Sequence, residues 1–184
     1  WQATEDGGVM QRRDRQTAER VARIAALSGD AFYELIAEGA RYSSKEDWRR
    51  AARAFREAIA LRPDKPDAYY NLGAVLANSG HYVEAAQRLL EAKERYPVGT
   101  EDWARATAEA FLLLTREECA EVAKPEWWND EGLKALSARV VRAAPDERGA
   151  HRMRASMLSG QNDAWEVGPR SAAELMEAAT HYDR

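Results

Sequence analysis

Between residues 66 and 99 the apolar positions recur at helical rather than strand spacing. Tyr69, Leu72 and Leu76 fall three and four residues apart and so share one helix face, while Tyr82, Ala85, Leu89 and Ala92 make a second stripe. Asn78-Ser79-Gly80 separates the stripes and supplies a turn in which Gly80 can take positive φ without a steric penalty. Pro97 closes the second helix, because proline lacks an amide hydrogen and clashes with the preceding turn. Gly73, Ala85 and Ala92 are small where two helices must approach closely. The pattern predicts an antiparallel helix pair, and one such pair cannot bury both of its stripes without neighbours.

A shift of 34 residues finds a neighbour. It pairs Leu35 with Tyr69, Gly39 with Gly73, Tyr42 with Leu76, Trp48 with Tyr82, Ala51 with Ala85, Phe55 with Leu89, Ala58 with Ala92 and Pro63 with Pro97. Eight matches at one offset favour copied hairpins over an ordinary bundle. Glu38 stands where Leu72 stands in the next unit, which predicts a shifted helix or a partly open edge. Tyr69-x2-Leu72-Gly73-x2-Leu76 followed by Ala85-x3-Leu89, Ala92 and Pro97 resembles the tetratricopeptide repeat (TPR) family. The resemblance implies an all-α fold, a right-handed solenoid of antiparallel helix pairs.

The remaining chain divides around these copies. Residues 1–8 read as a polar leader, and 9–29 as a capping helix with Thr17, Val21 and Ile24 on one face and Gly29 as its stop. Repeat 1 occupies 30–65, with Asp30 as its N-cap, and repeat 2 occupies 66–99. Residues 100–145 hold an irregular third repeat and an extra helix: helices are expected from about Glu101 to Leu114, Arg116 to Lys124 and Glu131 to Ala144, with a break at Pro125. Residues 146–184 form a partial last repeat, with helices from Glu147 to Leu158 and from Arg170 onward joined by the long loop SGQNDAWEVGP. Trp1 in place of Met, and a terminus in mid-helix, predict a piece of a longer product in which the solenoid continues.

Composition agrees with helices. The chain has 184 residues, 45% hydrophobic and 32% charged, with 11 Gly and 6 Pro. A net charge of −4 disfavours nonspecific nucleic-acid binding. No run reaches the roughly 18 apolar residues of a membrane span. The single cysteine, Cys119, excludes an internal disulfide framework and points to a reducing intracellular compartment, the cytoplasm first. Cys119 sits at a seam position and reads as a packing group.

No phosphate-binding glycine loop, HExxH, CxxC, GxSxG or EF-hand pattern occurs, so no cofactor, metal site or catalytic residue is expected. His81, His151 and His181 are scattered and read as exposed or capping side chains. Arg49, Arg53 and Arg56 form a stripe that reads as a solvated face paired with Glu46, Asp47 and Glu57. The adjacent Trp127 and Trp128 cannot both point inward from one helix face, so one is expected to cover the stack while the other anchors a partner.

The family resemblance implies a concave groove lined by the first helix of each hairpin. Carried onto this chain, the lining is Tyr33, Ile36, Ala40 and Ser43, then Asp67, Tyr70, Ala74, Ala77 and Asn78, then Glu101, Ala104, Ala108 and Phe111. Members that hold a chaperone's C-terminal carboxylate use lysine, arginine and asparagine there. Here Ile36 and Ala40 stand in the lysine and asparagine places and Asn71 alone matches, so a chaperone tail is disfavoured. The expectation is a non-catalytic scaffold that binds a protein or peptide segment through Tyr33, Ile36, Tyr70, Asn71, Ala74, Asn78, Phe111, Trp127 and Trp128. Two alternatives stand beside it: an accessory repeat region of a larger enzyme, such as a transferase or hydroxylase, and a structural subunit of a larger complex.

Overall fold

The computed structural model describes residues 30–160 and 164–182, and every regular element among them is helical. The expected leader at 1–8 and capping helix at 9–29 lie outside these residues. Two compact units divide between Ser79 and Gly80.

The first unit contains α1 (Ala31–Ser43), α2 (Trp48–Leu61) and α3 (Pro66–Asn78). Each start has a local cause. The Asp30 carboxylate accepts from the Phe32 amide at 3.0 Å, and Asp47 caps Arg50 at 3.2 Å. Pro66 occupies the first turn of α3, where its missing N–H costs nothing. Helices α1 and α2 meet at Gly39: a β-carbon built there would lie 2.6 Å from the Phe55 ring. The tyrosine Tyr69 is buried and donates its hydroxyl to the Pro63 carbonyl at 3.0 Å, fixing the turn between α2 and α3.

One expectation for this unit fails. The family resemblance places Ile36 on the groove lining, but it is 4% exposed and shares the buried stripe Phe32, Ile36, Gly39. Leu35 is instead half-buried. With Glu38 in place of an apolar residue, the face of α1 that buries most apolar surface is rotated toward Phe32 and Ile36, and the helix packs on that face.

The second unit contains α4 (Tyr82–Arg95), α5 (Glu101–Leu114), a 3-10 turn (Glu117–Cys119), α6 (Asp130–Ala143), α7 (Arg148–Ser159) and α8 (Ala172–Tyr182). Helix α5 packs against α4, α6 and α7, and α8 packs against α7. Thr100 caps α5 by accepting from the Trp103 amide at 3.2 Å, and Asn129 caps α6 by accepting from Gly132 at 2.9 Å. Thr107, where repeat 2 has its glycine, is fully buried and returns its hydroxyl to the Trp103 carbonyl at 2.7 Å. That bond satisfies the one polar atom the substitution introduces.

The helix expected from Arg116 to Lys124 does not form; only the turn Glu117–Cys119 is regular. Pro125 drives the residue before it away from helical geometry, which leaves too few residues to repay helix nucleation. Lys124 then takes a side-chain role, donating to the Cys119 carbonyl at 2.7 Å and the Leu114 carbonyl at 3.1 Å. Cys119 is fully buried against Ala86 and Leu114, and burial pushes its thiol up, as expected of a packing group.

Candidate functional site

Helix α3 is two-sided. Ala68, Tyr69, Leu72, Gly73, Val75 and Leu76 are buried, whereas Asp67, Tyr70, Asn71, Ala74, Ala77 and Asn78 retain surface. The second set falls at intervals of three, one, three, three and one, which is one continuous helical stripe. Within the same unit α1 contacts α3, and Tyr33 keeps part of its surface while its ring packs edge-on against Phe32 at 5.2 Å. Of the expected lining residues in this unit, Tyr33, Tyr70, Asn71, Ala74 and Asn78 stay accessible and Ile36 does not. The surface offers phenol and amide groups over small apolar patches.

In the second unit the expected lining closes. Ala104, Ala108 and Phe111 have no exposed surface. Phe111 is covered by two indoles, Trp128 with ring centroids 5.5 Å away and Trp165 at 5.9 Å, so it is a packing residue and not a partner contact. Trp128 is likewise committed: it stands edge-on to Trp165 at 6.0 Å, lies under Lys124 at 5.4 Å, and donates its indole N–H to the Ala164 carbonyl at 2.9 Å. Trp127 is half-buried, with the Lys93 ammonium 5.3 Å from its ring centroid. Trp165 was not singled out from the sequence; its only local signal is a large apolar residue inside a polar loop.

Beside these rings lies a cleft of about 780 Å³, lined by Lys124, Trp128, Trp165 and the 166–169 backbone together with Asp130 and Lys134. Its two lysines and Asp130 are already engaged, while Glu131 and Glu166 are exposed. Arg170, 6% exposed at its side chain, makes a paired contact with Asp130 and also donates to the Met157 and Gly168 carbonyls at 3.1 and 3.0 Å. Lys134 bridges Asp130 at 3.4 Å and Glu174 at 2.8 Å. A reciprocal cap starts α8: Glu174 accepts from the Ser171 amide at 2.8 Å and Ser171 accepts from the Glu174 amide at 3.2 Å. The Ser171-x-x-Glu174 cap sets the helix start at Ala172, two residues later than the expected Arg170.

The Arg170 hydrogen bonds, followed by the Arg170 and Lys134 charges, outweigh burial and hold the Asp130 carboxyl down to about 2. A carboxylate with a folded value below its unfolded value of about 3.9 stabilises the fold fully above that pH. The contribution is lost as the pH falls through the folded value. Arg170→Met is therefore expected to raise the acid-unfolding midpoint by about one pH unit, followed by tryptophan fluorescence; an unchanged midpoint would detach acid stability from this pair.

The remaining charged and titratable groups fall into place separately. Arg49, Arg53 and Arg56 are exposed, with Arg53 bound to Glu57 at 2.8 Å and Arg50 to Asp47 at 3.4 Å. His81 is exposed at the start of α4. The expectation of scattered histidines fails for the other two: His151 is buried and its Nδ1 lies 2.7 Å from Nδ1 of His181. A separation of 30 residues hid this pair, because only the packing of α8 on α7 brings the rings together. Among the described residues no helix is long and apolar enough to cross a membrane.

Comparison with known proteins adds two findings. Over 58% of this chain the sequence is 30% identical to cellulose synthase operon protein C of Pseudomonas fluorescens, and the aligned stretch covers 9% of that protein. The chain thus spans under a tenth of this relative. Residues 39–80 match the family model described as TPR repeat. Repeats of this kind generally serve as protein–protein interaction scaffolds. The match at residues 39–80 agrees with the resemblance to tetratricopeptide repeats over that stretch, in a chain whose described residues are all helical or irregular.

Proposed function

We propose that this protein is a non-catalytic scaffold whose α1–α3 surface takes an extended or helical polypeptide segment. The observation that carries the reading is the accessible stripe of α3, where Tyr70, Asn71, Ala74 and Asn78 face away from a fully buried opposite side. The buried side holds the helix rigid, so a ligand meets a surface that needs little ordering on binding. Tyr33 and Tyr70 supply large contact area with few rotatable bonds, and Asn71 and Asn78 supply amides for backbone hydrogen bonds. Tyr70→Ala is expected to weaken binding of a partner captured from native extract by about thirtyfold, the size of a central tyrosine contact, with helicity by circular dichroism unchanged. Unaltered affinity would remove α3 from the interface.

The similarity to cellulose synthase operon protein C favours a second, narrower reading: a repeat segment of a long protein that works within a polysaccharide-producing assembly. It is compatible with the first, since a scaffold segment holds such assemblies together. Affinity capture followed by mass spectrometry checks it. Enrichment of glycosyltransferase or polysaccharide-export subunits supports the assembly, and their absence from a capture that recovers other specific partners counts against it.

A further inference from the structure

The geometry points to a proton-operated latch: the His151–His181 contact holds α8 on α7 while one of the facing nitrogens is unprotonated, and lets go when both carry protons. The proton count follows from the partners. His151 Nε2 lies 2.7 Å from the Pro145 carbonyl oxygen, which can only accept, so Nε2 carries a hydrogen. In neutral His151 the other nitrogen, Nδ1, is then a bare acceptor. The 2.7 Å approach of the two Nδ1 atoms therefore requires His181 to donate. His181 Nε2 is left facing the Glu177 carboxylate at 3.6 Å. A first extra proton on that nitrogen keeps the donated hydrogen in place but charges a largely buried ring, which weakens the docking. A second can reach only His151 Nδ1, placing two N–H groups and two positive charges face to face.

The charges around the pair come from both helices. From α7 they are His151 itself and Arg154, and from α8 Glu177, which Arg154 binds at 2.9 Å. The neighbouring α6 offers Arg154 the Lys134 carbonyl and the Ser137 hydroxyl. From α5, Arg105 reaches Glu147 just before α7 at 3.6 Å. Burial first, then His151, push the His181 imidazole down, with Glu177 pulling the other way. The sign is that of a base held neutral by folding: its contribution is complete above about pH 6.5 and is lost as the pH falls through the lowered value. No group of three or more His, Cys, Asp or Glu is placed to hold a metal among the described residues, and histidine is the side chain whose charge changes nearest neutral pH.

Helix α8 is suited to such control because its apolar anchorage is small. Ala178 is its single buried residue, whereas Leu175, Met176 and Tyr182 are 48%, 73% and 58% exposed. Polar contacts hold it as well: the histidine pair, Arg154 with Glu177, Lys134 with Glu174, and the Ser159 and Tyr182 hydroxyls at 3.4 Å. Losing one of these contacts therefore shifts the docking of the whole helix.

Amide hydrogen exchange of residues 172–182 in the full chain tests the latch. Corrected for intrinsic exchange, protection is expected to fall about tenfold between about pH 7.5 and about pH 5. His181→Gln is expected to lower protection at both values and to abolish the difference between them. Flat protection in the unsubstituted chain, or an equal fall in the variant, overturns the proposal. A second measurement needs no substitution: imidazole nitrogen chemical shifts should show His151 as the Nε2–H tautomer, accepting at Nδ1 from His181. His151 as the Nδ1–H tautomer would overturn it as well.

Discussion

Replacing Phe111 with alanine is expected to lower the unfolding free energy of the unit that begins at Gly80 by about 3–5 kcal/mol, measured by urea denaturation. The ring is fully buried on α5 and touches both Trp128 and Trp165. Those indoles come from the break after Pro125 and from the loop before α8, two segments with few other apolar anchors. Removing the ring thus opens a cavity at the point where three stretches of chain meet, and each lining atom loses its partner. Phe111→Leu keeps most of the volume and should cost under about 1.5 kcal/mol. The truncation should also change the indole emission, since Trp128 loses the contact that holds its ring while its N–H remains on the Ala164 carbonyl. A loss below about 1 kcal/mol would mean that the loop re-closes over the gap and that the indoles, not Phe111, organise this region.

Local chemistry made much of the fold readable. Asp30 was legible as a cap because a short carboxylate before an apolar stripe satisfies an otherwise orphaned amide, and it does so in the structure. The span of α5 from Glu101 to Leu114 follows from Thr100 ahead of it and the end of its apolar period behind it. Gly80 takes a φ of 83°, the value its place after α3 called for. What the sequence hid depends on residues far apart in the chain. A regular repeat puts Ile36 and Phe111 on the lining, but the face a helix buries is decided by everything that covers it. For α1 that meant a rotation of the stripe toward Phe32, and for α5 it meant two tryptophans arriving from irregular segments. The expected lining residues of α3 that keep surface, Tyr70, Asn71, Ala74 and Asn78, lie in the repeat whose period is cleanest.

Gly39→Leu is expected to destabilise the α1–α2 pair by about 3 kcal/mol, the upper end for overfilling a packed site. At Gly39 even a methyl group is too large, since its carbon would stand 2.6 Å from one atom of the Phe55 ring and within 2.9 Å of two others. Phe55 is itself 2% exposed, so the ring has nowhere to swing. Gly39→Ala separates this clash from backbone effects, because alanine in a helix interior is favoured over glycine by about 1 kcal/mol. If close approach governs, Gly39→Ala is still destabilising by thermal denaturation, and Phe55→Leu added to it restores stability by giving back the ring's volume. Each change alone should then cost more than the pair does together. Were Gly39→Ala to raise the melting temperature, the contact between α1 and α2 would be loose enough to absorb a methyl group, and the small residue at the start of this repeat would owe its place to something other than helix approach.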